Sequence, residues 1–214
     1  MRNKRQPTTG IWAIILAAGE SKRMGSPKMM LPWKEVTIIE KVIENVLCSG
    51  VEKTVVVLGA NKKEIMEVTG KYPVMHCYND NYKQGMLSSV KCGFKFLPPD
   101  FRAAMVFLGD QPMAETTVMN LVIEAHDRSG KGIVIPVYKR KRGHPILIDK
   151  KYRDEIISLD EPDGLRGLLR KHPDDLLEIE TDNETILKDI DTQDDYLCET
   201  NKTYQTWKRQ SGSI

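Results

Sequence analysis

The sequence has no apolar run long enough to cross a membrane, and residues 1–9, ahead of Ile11, are basic and polar. A spanning helix needs about 20 consecutive apolar residues, which no window approaches, and the segment ahead of Ile11 is too short and wrongly ordered for a signal peptide. The expectation is a soluble, cytoplasmic protein with no membrane partner. Cysteine is scarce: Cys48, Cys77, Cys92 and Cys198 are all there is, and no two are spaced as CxxC. That spacing excludes a zinc site or disulfide framework read from sequence and leaves free thiols in a reducing compartment. His76, His126 and His172 have no metal-ligand spacing to carboxylates or cysteines. Charge of one sign is also missing. The net charge is +2, and the basic clusters Lys139–Arg142 and Arg170-Lys171 are short, which argues against a nucleic-acid partner. GxSxG, GxGxxG and the Gly-Lys-Ser/Thr ending of a Walker A loop are absent.

What is present is ordinary globular composition, 40% hydrophobic and 29% charged, in a rhythm of apolar runs and amphipathic stretches. Residues 11–16 (IWAIIL), Thr54–Leu58, Val74–Tyr78 and Ala103–Leu108 read as strands buried on both faces. Between them, Thr37–Gly50 reads as a helix with a Thr37/Glu40 capping box, and Lys62–Thr69, Met86–Leu97 and Glu115–Arg128 read as further helices. The alternation predicts an α/β fold with a parallel, doubly wound sheet. After Ile133–Tyr138 the rhythm changes, and His144–Ile148 suggests one antiparallel strand. One domain is expected over 11–200, with a flexible N-terminal tail at 1–10 and a frayed C-terminal tail at 201–214. In such sheets ligands sit beyond the carboxyl ends of the strands, so the loops after Leu16, Leu58, Tyr78 and Leu108 matter most.

The loop after the first strand reads Leu16-Ala17-Ala18-Gly19-Glu20-Ser21-Lys22-Arg23-Met24-Gly25, followed by Pro27-Lys28 and Leu31-Pro32. Small residues let backbone N–H groups approach a polyanion, and Arg23 and Lys28 add positive charge. A solvated strand–helix connection explains the same residues. Gly109-Asp110-Gln111-Pro112 places a carboxylate at the end of the fourth strand, where it can hold a hard cation or simply open a turn. Asp189 and Asp191 alternate, so an extended segment would put both on one face, about 7 Å apart. Thr192 and the acids after it also make a helix cap.

Together these segments resemble the LAAGxSxRMGxxKxLLP signature and the GDxP motif of the MobA-like NTP transferases. The resemblance runs from Ile11 to about Leu197. It implies a Rossmann-like three-layer α/β/α sandwich of the nucleotide-diphospho-sugar transferase type. It further implies an enzyme that binds Mg2+, with Mn2+ as an alternative. The loop residues Leu16, Ala17, Ala18, Gly19, Ser21, Arg23, Met24, Gly25 and Lys28 would wrap the NTP. Asn79, Gly85 and Ser88, from a stretch similar to the family's Asn-x(5)-Gly-x-x-x-Ser, would lie beside the nucleoside. Arg23, Lys28 and Asp110 would carry the chemistry, with Asp110 and Asp191 (or Asp189) on the metal. Gly143-His144-Pro145 and Asp163–Leu169 resemble the branch that modifies molybdopterin, which places His144 and Arg166 at the acceptor, although Pro162 stands where that branch has glycine. The branch implies CTP as donor, a molybdopterin-type acceptor and a molybdenum hydroxylase client. Ala18, in place of the second glycine of the guanylyl branch, favours cytidine. Guanylyl transfer, transfer to a sugar or alditol phosphate, and a non-catalytic nucleotide-binding chaperone are the alternatives.

Overall fold

The computed structural model describes residues 10–21, 24, 27–160 and 163–201. The N-terminal tail up to residue 9 and the C-terminal tail from 202 lie outside them. The strands are β1 (Ile11–Ala17), β2 (Pro32–Trp33), β3 (Val36–Thr37), β4 (Lys53–Leu58), β5 (Met75–Tyr78), β6 (Ala103–Leu108), β7 (Ile133–Tyr138), β8 (Lys141–Arg142), β9 (Ile146–Asp149) and β10 (Leu176–Glu180). The α-helices are α1 (Ile38–Leu47), α2 (Lys62–Thr69), α3 (Met86–Phe96), α4 (Thr116–Ser129), α5 (Arg153–Ser158) and α6 (Gly164–Lys171). A last helix covers 193–201.

The main sheet runs β10-β7-β9-β6-β1-β4-β5, with β8 on β7. Pairings among β6, β1, β4 and β5 are parallel, while β9 is antiparallel to both its neighbours. The antiparallel excursion expected near His144 is therefore β9. Every residue of β1 is buried, as a central strand covered on both faces must be. Its side chains alternate between two cores. Trp12, Ile14 and Leu16 face α3, α5 and α6 through Val90, Phe94, Ile156 and Leu168. Ile11, Ala13, Ile15 and Ala17 face α1, α2 and α4 through Val42, Ile43, Ile65 and Val122. Two cores separated by one sheet give three layers.

The Thr37/Glu40 capping box forms as expected and fixes where α1 begins. Two expectations need correction. The Asp189–Asp191 segment is not a strand. It follows a 3-10 turn at Glu184–Leu187 and leads into the 193–201 helix. Edge strand β10 was also missed. Its alternation of Glu178 and Glu180 with apolar neighbours is short, and only pairing with β7 makes it a strand.

Candidate active site

The carboxyl ends of β1 and β6 and the start of α3 enclose a cleft of about 420 Å3. One wall is the loop after β1, with Ala18, Gly19, Glu20 and Ser21. A close backbone approach shapes this wall. Gly109 donates its N–H to the Leu16 carbonyl at 3.0 Å, and a Cβ at 109 would sit 2.8 Å from that oxygen. Glycine is therefore required for the exit of β6 to run beside the exit of β1. Gly59 makes the same kind of approach behind Ala18, where a Cβ would come within 2.5 Å of the Ala18 carbonyl oxygen.

Ser21 has a positive φ of 53°, and its Oγ accepts the Lys28 N–H at 3.1 Å. This bond ties the loop to the short 3-10 turn Lys28–Met30 and brings the Lys28 side chain into the cleft. There the Lys28 Nζ lies 2.5 Å from Asp110 Oδ2 and 2.8 Å from Asp191 Oδ1. Burial opposes the charge on Lys28, but the two carboxylates outweigh it, Asp110 foremost, and hold the ammonium above the usual lysine value.

Asp110, Asp189 and Asp191 offer oxygens that all lie within 4.8 Å of one another. The last two reach the site without strand pairing. The Ile190 N–H donates to the Asp110 carbonyl at 3.0 Å. The fully buried Ile190 side chain packs against Trp33 and Ile38. That anchor leaves the carboxylates on either side of it at the cleft. Thr192 and Asp195 then form a reciprocal cap: the N–H groups of Asp191 and Thr192 donate to Asp195 Oδ2, and the Asp195 N–H donates to Thr192 Oγ1. Partial burial first, and then the charges of Asp110 and Asp191, raise the Asp189 carboxyl above its ordinary value. One oxygen of Asp110, Oδ1, is buried with no hydrogen-bond partner among the described residues.

On the opposite wall stand Tyr82, Gly85, Met86 and Ser89. Gly85 has φ 96° and serves as the N-cap of α3, a conformation that favours glycine. Asn79 is 5% exposed. Its Nδ2 donates to Ser88 Oγ at 2.8 Å and Ser89 Oγ at 3.0 Å, and its Oδ1 accepts the Asn81 N–H. Asn79 and Ser88 thus brace this wall from behind. The serines do not cap α3 with their side chains, because the helix begins ahead of them at Met86.

Of the residues expected at the nucleotide, Leu16, Ala18, Gly19, Ser21, Lys28, Gly85 and Asp110 line the cleft. Ala17 is buried in the core against α1, and Met24 packs against the cluster of Trp33, Ile38 and Ile190, so neither lines it. Arg23 and Gly25 lie outside the described residues. His144 and Arg166 are not in the cleft wall either. His144 sits at the same edge of the sheet, two residues before β9, with its N–H on the Ile186 carbonyl. Its ring is held neutral by burial, which lowers its pKa to about 4. Arg166 is an exposed residue of α6. Sequence reasoning missed Glu20, Met29, Tyr82, Met86, Ser89 and Leu108 as lining residues. Tyr82 and Met86 flank Gly85, so nearness to that glycine was the available signal.

A cleft at the carboxyl edge of a doubly wound sheet, with a close-approach loop, a lysine and converging carboxylates, defines the nucleotide-transferring class of α/β proteins. The MobA-like NTP transferase domain matches residues 13–176, and the chain belongs to that family. The chain is 32% identical over 194 residues to the molybdenum cofactor cytidylyltransferase of Escherichia coli strain K12, covering 88% of this chain and 95% of that protein. It is 31% identical over 196 residues to the nicotine blue oxidoreductase of Paenarthrobacter nicotinovorans, covering 85% and 92%. Among solved structures, the manganese complex of Rv0371C from Mycobacterium tuberculosis H37Rv superposes with a TM-score of 0.76 at 21% identity, covering 88% of this chain and 96% of that one. The family match ends at residue 176, ahead of Asp189 and Asp191, and the structure brings both beside Asp110.

Proposed function

We propose that this chain is a divalent-metal-dependent cytidylyltransferase that moves CMP from CTP onto a molybdopterin-type acceptor and releases pyrophosphate. The observation that carries the reading is the meeting of Lys28, from the loop after β1, with Asp110, from the end of β6, in one cleft. The name of the Escherichia coli relative supports the acceptor and the choice of cytidine. Ala18, where the guanylyl branch has a second glycine, also supports cytidine over guanosine.

The donor set fits Mg2+ or Mn2+. It consists of three hard carboxylates, one with an unpartnered buried oxygen, and no soft ligand. Asp110 and Asp191 would hold the ion, with Asp189 beside them. When bound, it would draw charge from the phosphate oxygens of the NTP. The protein's own part is to align two anions and balance their charge. Backbone groups from Ala18 to Ser21 line the phosphate path, and Lys28 exchanges a carboxylate partner for the leaving pyrophosphate. The acceptor phosphate is already ionised at neutral pH, so no general base is required. Arg23 is proposed to add a second cation to the phosphates. His144 and Arg166 are proposed to face the acceptor from the β9 and α6 side. A molybdenum hydroxylase is the proposed client, and the cytoplasm the proposed location.

Pyrophosphate release from each of the four NTPs, with and without molybdopterin, tests the reading. Release with CTP only when molybdopterin is present is the expected result. Preference for GTP would reassign the base, release with a sugar phosphate would reassign the acceptor, and binding without release would make the chain a nucleotide-holding chaperone.

A further inference from the structure

Away from the carboxylates, two thiols face each other across the sheet–helix junction behind the nucleoside wall. Cys77 Sγ, on β5, lies 3.7 Å from Cys92 Sγ, on α3. Cys77 is buried and Cys92 is half-buried. The pair sits beside the Asn79 bridge. Cys77 precedes Asn79 by two positions, and Cys92 follows Ser88 and Ser89 by one helical turn, on the same face of α3. The residues that tie β5 to α3 by hydrogen bonds and those that could tie it covalently thus form one column.

We propose that Cys77 and Cys92 are a reversible dithiol–disulfide couple whose oxidation repositions the first turn of α3 and so weakens nucleotide binding. A disulfide needs its sulfurs about 2.05 Å apart, so the pair must close by less than the width of one atom. The sheet order β6-β1-β4-β5 sets the direction of the pull. Drawing α3 toward the edge strand β5 moves Gly85 and Ser89 away from Leu16 and Asp110 across the cleft. The nucleotide consequence rests on the proposed function, whereas formation of the disulfide does not.

The chemistry suits hydrogen peroxide as oxidant. The contact with Cys77 favours the thiolate of Cys92, with Lys95 adding to it, while the same contact and burial keep Cys77 protonated. The Cys92 thiolate attacks a peroxide oxygen, so an S–O bond forms as the O–O bond breaks. The Cys77 sulfur then attacks the Cys92 sulfur. The S–S bond forms, the S–O bond breaks, and the thiol proton leaves with the departing hydroxide as water. Two thiols and one peroxide give one disulfide and two waters, the sulfurs losing the two electrons that the peroxide gains.

The test uses the full chain with the exposed Cys48 and Cys198 changed to serine, treated with hydrogen peroxide and then with a dithiol reductant. Peptide mass spectrometry without reduction should find the 77–92 cross-link, reversed by reductant and absent from a Cys92→Ser variant. Hydrogen exchange over 79–89 should slow on oxidation, and calorimetry should show CTP binding weakened severalfold. Absence of the cross-link overturns the proposal. A cross-link that changes neither exchange nor nucleotide affinity overturns its regulatory half. A reduced protein that binds no nucleotide refutes the proposed function, while mass and exchange still decide the disulfide.

Discussion

At the residue scale the site is a charge balance held by one lysine. Three carboxylates within 4.8 Å repel one another, and the Lys28 ammonium between two of them offsets that repulsion. Lysine and a divalent cation are therefore alternatives for the same oxygens. Lys28→Met should tighten Mn2+ binding to the nucleotide-free protein, measured by calorimetry or electron paramagnetic resonance. The same change should cost NTP use about 1.5–3 kcal/mol, the range for hydrogen bonds to charged groups. If Mn2+ affinity is unchanged or weaker, the lysine does not occupy the metal's place. Asp110→Ala should keep the fold, read by circular dichroism, yet lower turnover by about 100-fold or more, the loss typical of removing one preorganised electrostatic contact. Near-normal rates would remove the metal assignment.

At the scale of elements, the informative piece is the turn that carries Asp189 and Asp191. Its position depends on the Ile190 anchor and on the cap made by Thr192 and Asp195 at the head of the 193–201 helix. Thr192→Ala should cost about 1 kcal/mol of stability, as N-cap losses do, read from the urea midpoint. Because Asp195 also holds the Asp191 N–H, the same change should weaken metal binding. Unaltered metal affinity at reduced stability would separate cap from site. The sequence made this cap legible, as Thr192 followed by acids, together with the capping box of α1 and the apolar strands β1, β4 and β6. These are local signals, carried by neighbours one turn or two residues apart. The strand expected for 189–191 does not form, for a related reason, although Asp189 and Asp191 do share a face. Alternation reports which side chains share a face, but a strand also needs a partner for its backbone, and here the main-chain bond goes to the Asp110 carbonyl. Edge strand β10 shows the converse, a weak pattern made into a strand by a neighbour 40 or so positions earlier in the chain.

Across the whole molecule, the histidine ahead of β9 adds to the pH response. His144 is held neutral by burial ahead of β9, with a pKa near 4 against an ordinary value of about 6.5. Between those values the unfolded chain binds the proton more readily, so stability is full above about pH 6.5 and declines as the pH falls toward 4. At pH 5 the loss relative to neutral pH is on the order of 2 kcal/mol. Urea unfolding at pH 7 and pH 5 should show that decline in the parent chain and a flatter one in His144→Gln. An equal decline in both would assign it to other groups.

The sequence by itself determined the layered α/β class, because burial of a central parallel strand on both faces imposes a continuous apolar run that no surface element carries. It also determined which loops face the ligand edge, and the identity of Lys28, Asp110 and Asp191 as candidates. Only the tertiary structure decided that Lys28 pairs with the acids, that Asn79 braces a wall it does not line, that Met24 belongs to a small apolar cluster, and that Cys77 meets Cys92. Each of these depends on distances between residues in different elements or loops, fixed when the sheet and its helices pack, and no local pattern encodes them.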